Sequence, residues 1–175
     1  MIKIKNFLLI VIFFFLLIGS LSAKDKVSYI DIDYILTNTI SGKSMLNFLK
    51  KEEELKINKF KLNNENFKKK ENKILAKKNL ISQEEVTKEL KLLQVEYEKY
   101  RKSRINEVKE LEIKRNKNIV NLLSLINPII EKYMAENSIY MLIDKKNVFI
   151  ANKNYDITKN LIELIDNQIK SIEIK

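Results

Sequence analysis

The residues that ordinarily carry covalent chemistry are missing from this sequence. There is no His and no Cys, which removes the usual general base, the usual nucleophilic triads and the usual zinc and copper ligands. Only two Gly occur, Gly19 and Gly42, too few for a phosphate-cradling loop. Ser and Lys are plentiful, but no Ser-x-x-Lys stands in a setting that suggests catalysis. Glu52-Glu53-Glu54 and the pair Asp31/Asp33 could touch a hard cation, although the first reads more simply as the wet face of a helix. No enzyme, no cofactor and no metal site is expected. What remains is non-covalent chemistry. The basic runs Lys68-Lys69-Lys70 and Lys77-Lys78 suit an anionic surface, where each lysine gains ~1 kcal/mol. Phe60, Phe67, Tyr97 and Tyr100 read as seam residues between helices or as weak apolar contacts for a bound chain.

The elements that must position these side chains lie between Lys43 and Asn118, a stretch without Gly or Pro. Two long helices folded back on each other are expected, with the reversal at Lys78-Asn79-Leu80-Ile81-Ser82 and the tip near 79–82. Ser82-x-x-Glu85 is a capping box, in which each side chain satisfies an orphan backbone N–H. The first arm carries two rows of period seven, 48–55–62 and 60–67–74, a coiled-coil-like stripe that is thin and shifts phase. The second runs through Val86, Leu90, Leu93, Tyr97 and Tyr100, slips to Ile105, Val108 and Leu111, and becomes strongly apolar from Ile119 to Ile126.

Charge follows the same division. The chain carries +10 in all, and residues 43–118 hold 22 basic and 13 acidic side chains, a net of +9. The remainder is close to neutral, so a partner that meets the arms is implied. Residues 1–23 combine a basic start, an apolar run from Phe7 to Ile18 and the small residues Gly19 to Ala23. That is the pattern of a cleaved secretory signal peptide, so the protein is expected to be exported. Export also argues against nucleic acid as the partner. A mature chain without disulfides or Trp, and with few large apolar residues, is expected to self-associate.

The ends of the mature chain, 24–42 and 119–175, are expected to form the body. Strands are read at about 27–32, 139–143 and 148–151, the last two as a β-hairpin around Asp144-Lys145-Lys146-Asn147. Ser41 is a plausible cap for the first long helix. Pro128 marks a kink or a renewed helix, and Asp156 or Thr158 caps the last helix. The fold class is therefore α+β: a long antiparallel helical hairpin on a small β-sheet body. A sheet this small is marginal by itself in water.

Three segments carry a likeness: Val27-Ser28-Tyr29-Ile30-Asp31, Ser82-x-x-Glu85 at the tip, and Leu142-Ile143-Asp144 through Phe149-Ile150-Ala151 to Asp156-Ile157-Thr158. With them the chain resembles the Skp/OmpH family of periplasmic chaperones. The resemblance implies a homotrimer whose body joins three small sheets, with Val27, Tyr29, Ile30, Ile32, Leu142, Phe149 and Ile150 as candidate body residues. It implies unfolded outer-membrane proteins as partners, held without ATP between three arms. Candidate contacts to such clients or to an anionic membrane surface are Phe60, Phe67, Lys68, Lys69, Lys70, Lys77, Lys78, Tyr97 and Tyr100. The alternative is a structural or tethering coiled-coil protein of the periplasm that binds an anionic membrane surface.

Overall fold

The computed structural model describes residues 26–174; the expected signal segment, 1–23, lies outside the described residues. The chain enters as β1 (Lys26–Ile30). At Asp31 the carboxylate accepts the Tyr34 N–H at 2.9 Å and caps α1 (Ile32–Asn38). That cap ends the strand short of the expected residue 32, because the chain is already helical at Ile32.

The next helix, α2 (Ile40–Ala76), begins one turn later. Its cap is Thr39, not Ser41. The Thr39 hydroxyl accepts the Gly42 N–H at 3.2 Å and donates to the Ile35 carbonyl at 2.9 Å. Ser41 already lies inside the helix, and its buried hydroxyl finds no partner among the described residues. The corner between α1 and α2 is so tight that a Cβ on Gly42 would fall inside contact distance of the Leu36 carbonyl oxygen and 2.7 Å from Thr39 Oγ1. Backbone cannot yield there as a flexible side chain would, so glycine is required by close approach.

A short 3₁₀ turn (Lys77–Asn79) reverses the chain, and α3 runs from Gln83 to Glu136. The Ser82 hydroxyl accepts the Glu85 N–H at 3.2 Å, and the Glu85 carboxylate accepts the Ser82 N–H at 3.1 Å. At ~1.5 Å per residue, α2 is ~55 Å long and α3 ~80 Å, so the end of α3 outruns α2 and enters the body. Pro128, expected as a kink or a new start, sits within this one continuous helix. Past the end of α3, Ser138 takes a left-handed conformation with φ 54°, the position usually given to Gly after a helix.

The sheet differs from the expected hairpin. β2 (Ile139–Asp144) pairs in parallel with β1, placing Val27 beside Met141, Tyr29 beside Ile143 and Ile30 beside Asp144. Among the described residues the sheet has these two strands alone. Instead of turning back, the chain leaves β2 through a 3₁₀ turn (Lys145–Asn147) in which the Asp144 carboxylate accepts the Lys146 N–H at 3.1 Å. Val148–Ala151 then forms no strand. β1 is taken up by β2 and by the segment around Asp156, while the outer edge of β2 carries no strand among the described residues.

That segment, Asp156-Ile157-Thr158, closes the body. The Ile157 N–H donates to the Tyr29 carbonyl at 3.1 Å, and the Asp31 N–H donates to Thr158 Oγ1 at 2.9 Å. The Asp156 carboxylate accepts both the N–H and the hydroxyl of Thr158, supporting the start of α4 (Thr158–Gln168). Beneath lies one apolar core built from Ile30, Ile35, Leu36, Met45, Leu49, Leu122, Ile126, Ile129, Ile139, Ile157, Leu161 and Ile165.

Two substitutions test this base. Leu122→Ala empties a fully buried position and is expected to lower unfolding free energy by about 2–5 kcal/mol. Gly42→Ala is expected to lose about 3 kcal/mol through the forced shift of backbone. Urea unfolding followed by far-ultraviolet circular dichroism measures both.

Candidate functional site: the helical arm

The arm is built from two helices that share a sparse seam. Phe60 is 5% exposed and Val86 is buried, whereas Phe67, Ile74, Leu90, Leu93, Tyr100 and Leu111 are half-buried. Of the two rows of period seven on α2, the row 60–67–74 faces α3. Phe48, Leu55 and Leu62 are exposed on the flank, which corrects their expected place in the seam.

The phase shift seen in the sequence has a structural counterpart in the cross-arm ion pairs. Glu52, Lys59 and Lys70 on α2, and Lys77 just past its end, meet Lys114, Glu107, Glu96 and Glu89 on α3, at 2.8, 3.3, 2.6 and 3.1 Å. Both helices therefore advance in steps of seven, eleven and seven residues between rungs. Seven residues fall short of two turns by about 20° and eleven overshoot three turns by about 20°, so the eleven-residue step returns the stripe to the facing side. Each exposed pair contributes roughly 0–1 kcal/mol. The ladder matters more for register than for stability.

Apolar contact is concentrated in one aromatic clasp. Phe67 lies 5.2 Å from both Tyr97 and Tyr100, edge-on to the first and tilted to the second. The Tyr100 hydroxyl donates to the Phe60 carbonyl across the seam at 3.2 Å, and the Arg104 guanidinium sits 5.2 Å from the Phe60 ring. Phe60, weighed as a seam residue or as a client contact, lies buried in the seam. Phe67 and Tyr100 are half-buried in this cluster, and Tyr97 stays 38% exposed at its edge.

The expected lysines are all exposed. Lys70 pairs with Glu96 and lies 5.4 Å from the Phe67 ring, and Lys77 pairs with Glu89. Lys68, Lys69 and Lys78 have no ion pair among the described residues. Of the expected body residues, Tyr29 and Ile30 are buried by the chain's own helices, and Ile32 and Leu142 pack against its core. These four therefore lie in or against the core of the body. Val27, Phe149 and Ile150 stay exposed, with Ile150 at 86%. Asp31 and Asp33, weighed as cation ligands, are matched by Lys145 and Lys146 at 3.6 and 2.7 Å. The hydrogen bond to Asp33 holds the Lys146 ammonium above the ordinary lysine value.

One feature was not legible in the sequence. Between the clasp and the body a groove of about 650 Å³ runs along the two helices. Its floor is Leu46, Leu49, Ile57, Phe60, Val108 and Leu111; its rim carries Lys50, Lys56, Arg104 and Arg115 against Glu53 and Glu112. The slip of the second arm's stripe to Val108 and Leu111 was the only available signal. Such a groove accepts an apolar side chain without strong chemical selection, since several flexible charged residues ring an aliphatic floor.

A long antiparallel hairpin rooted on a small α+β body, with the chain's excess positive charge along its arms, defines a helical-arm scaffold. The chain belongs to the OmpH-like family: the family model described as outer membrane protein (OmpH-like) matches residues 26–165. Among solved structures, the chain is similar in fold to a candidate outer membrane chaperone (OmpH-like) from Caulobacter crescentus CB15. The TM-score is 0.75 at 19% identity, covering 85% of this chain and 88% of that one. No curated protein matches the sequence.

The clasp can be tested apart from the body. Phe60→Ala is expected to destabilise the arm by about 3 kcal/mol, and Tyr100→Phe by about 1 kcal/mol. Amide hydrogen exchange should accelerate along residues 52–114 in both, while Leu122 and Ile126 keep their protection.

Proposed function

We propose that the protein is an ATP-independent periplasmic holdase that binds unfolded outer-membrane proteins against its arms and prevents their aggregation. The observation that carries this reading is the groove at the arm root, an apolar floor within a charged rim on an arm of net +9. Further exposed apolar residues, among them Leu55, Leu62, Ile105 and Ile113, are scattered along the same arm. Many weak sites on one scaffold hold a long unfolded chain by multivalency, so no single pocket has to be selective. Family membership and the chaperone described for the Caulobacter neighbour support the reading.

The working form is a homotrimer, exported by the signal segment 1–23. A two-stranded sheet is marginal by itself, and its neighbours Val27, Tyr140, Met141, Phe149 and Ile150 leave apolar surface in water. Exposed apolar side chains gathered on so small a body favour an interface there. Partner copies would supply the missing sheet edge for residues 148–151. Three arms would then surround a client, and their like charge would resist collapse over the ~8 Å screening length. Nucleic acid is not among the partners.

Two measurements check this. Light scattering of an unfolded β-barrel protein diluted from urea is expected to fall at a small molar excess of the chain. Ile57→Asp with Val108→Asp should weaken that suppression severalfold without loss of helicity; unchanged scattering with the wild-type chain would leave only a tether that binds no client. Sedimentation is expected to give a trimer at micromolar concentration and a smaller species for Phe149→Glu with Ile150→Glu. A wild-type monomer would contradict the enclosed cavity.

A further inference from the structure

The body holds a second cavity, at the far end of α3 from the reversal. A cleft of about 400 Å³ opens where β1 and β2 begin, between the end of α3 and a 3₁₀ turn at Lys153–Tyr155. Ile139 and Ile157, both 7% exposed, give it an apolar wall. Lys26, Ser28, Tyr133, Asn137, Asn154 and Tyr155 supply the polar lining. From Arg115 to Tyr133 is ~27 Å along α3, so the cleft is separate from the groove of the arm.

Local turns bring the polar groups together. The Asn137 N–H and its side-chain amide both donate to the Tyr133 carbonyl, at 3.1 and 2.8 Å, which closes α3. Ser138, left-handed, then leads into β2, and its carbonyl accepts the Lys26 N–H at 3.4 Å. Across the cleft, the Asn152 side chain accepts the Asn154 N–H at 3.0 Å and the Asn152 carbonyl accepts the Tyr155 N–H at 3.1 Å. The side chains of Asn154 and Tyr155 themselves, and the Tyr133 hydroxyl, make no hydrogen bond among the described residues.

Ser28 is the most informative of these residues. Alternate side chains of a strand share a face, so Ser28 stands on the same face as the core residue Ile30. It is 5% exposed, yet its hydroxyl has no hydrogen-bond partner among the described residues. A hydroxyl withdrawn from water without a partner is unfavourable, and an apolar β-branched residue would suit the inner face of a strand better. What Ser28 lines instead is the cleft.

The lining discriminates among ligand classes. No carboxylate lines the cleft, so a cation finds no counter-charge. Lys26 is its one charged side chain, whereas phosphate groups are held by several cations or by successive backbone N–H groups. An apolar ligand would leave the hydroxyls and amides unpaired. A sugar ring satisfies them, because its hydroxyls both donate and accept, as Ser and Tyr hydroxyls and Asn amides do. Its C–H face packs on a tyrosine, which joins an apolar body to a polar tip. The volume also falls within the roughly 300–1,000 Å³ of small-ligand sites.

We infer that the cleft binds a neutral saccharide of one or two rings, with Tyr155 against its C–H face and Ser28, Tyr133, Asn137 and Asn154 bonded to its hydroxyls. This activity belongs to the body and does not depend on client holding.

Saturation-transfer difference NMR on the full assembly tests it, with maltose and N,N′-diacetylchitobiose as probes and glycerol as the ringless control. Transfer to the ring protons of a disaccharide is expected, and none to glycerol. Tyr155→Ala should weaken binding about tenfold, and Ser28→Ala and Asn154→Ala about fivefold each. Tyr34→Ala, at a tyrosine 45% exposed elsewhere on the body, should bind as the wild type does. Because the Ser28 hydroxyl has no protein partner, Ser28→Ala should leave the thermal unfolding midpoint unchanged.

The inference is overturned if neither disaccharide shows transfer, if glycerol matches them, or if Tyr155→Ala binds as well as Tyr34→Ala. A lowered midpoint in Ser28→Ala would make its hydroxyl structural and overturn it too. So would a changed sedimentation coefficient in Tyr155→Ala, which would assign the cleft to a contact between copies.

Discussion

The parallel pairing of β1 with β2 is the contact on which the rest depends. Parallel strands cannot be joined by a tight turn and need a crossover. Here the crossover is residues 31–138, which is the entire arm together with its root. Closing so long a connection costs only slowly more than closing a short one, so the arm can be long without loosening the body. The closing segment reinforces the pair, since Ile157 and Thr158 hydrogen-bond to Tyr29 and Asp31.

From that junction the stability of the molecule falls away toward the tip. At the base, Met45, Leu122, Ile126, Leu161 and Ile165 are almost fully buried, and core side chains of this size each contribute ~1.5–3 kcal/mol. Along the arm the fully covered residues thin to Phe60 and Val86, helped by an aromatic clasp and exposed ion pairs. The arm is therefore held in register without being tightly packed. That suits a surface that must meet many different chains, where one close-fitting pocket would select against most of them.

The layout of the arm follows the same gradient. The root groove is lined by residues 46–60 of α2 and 104–115 of α3, and the reversal at Lys77–Asn79 lies ~25 Å beyond its outer end. Between them the clasp of Phe67, Tyr97 and Tyr100 joins the two helices.

Local chemistry was readable from the sequence wherever it is complete within a few neighbours. The hairpin, the capping box at Ser82 and the concentration of charge on residues 43–118 all belong to this kind, because helix periodicity and capping depend on residues within one or two turns. The same reasoning failed where partners are distant. Residues 148–151 form a short apolar run like a strand, yet they pair with no strand among the described residues, while β1 takes β2 from more than a hundred residues away. Ser41 has the composition of a cap, yet the close packing of α1 on α2 gave that task to Thr39. The row 48–55–62 has the right period for a seam, but only the facing helix decides which of two rows it covers. Sequence alone determined the elements and their charge; the tertiary structure decided strand pairing, which aromatic residues are covered and where the groove opens. Those outcomes depend on which surfaces meet, and periodicity carries no information about a partner that is distant along the chain.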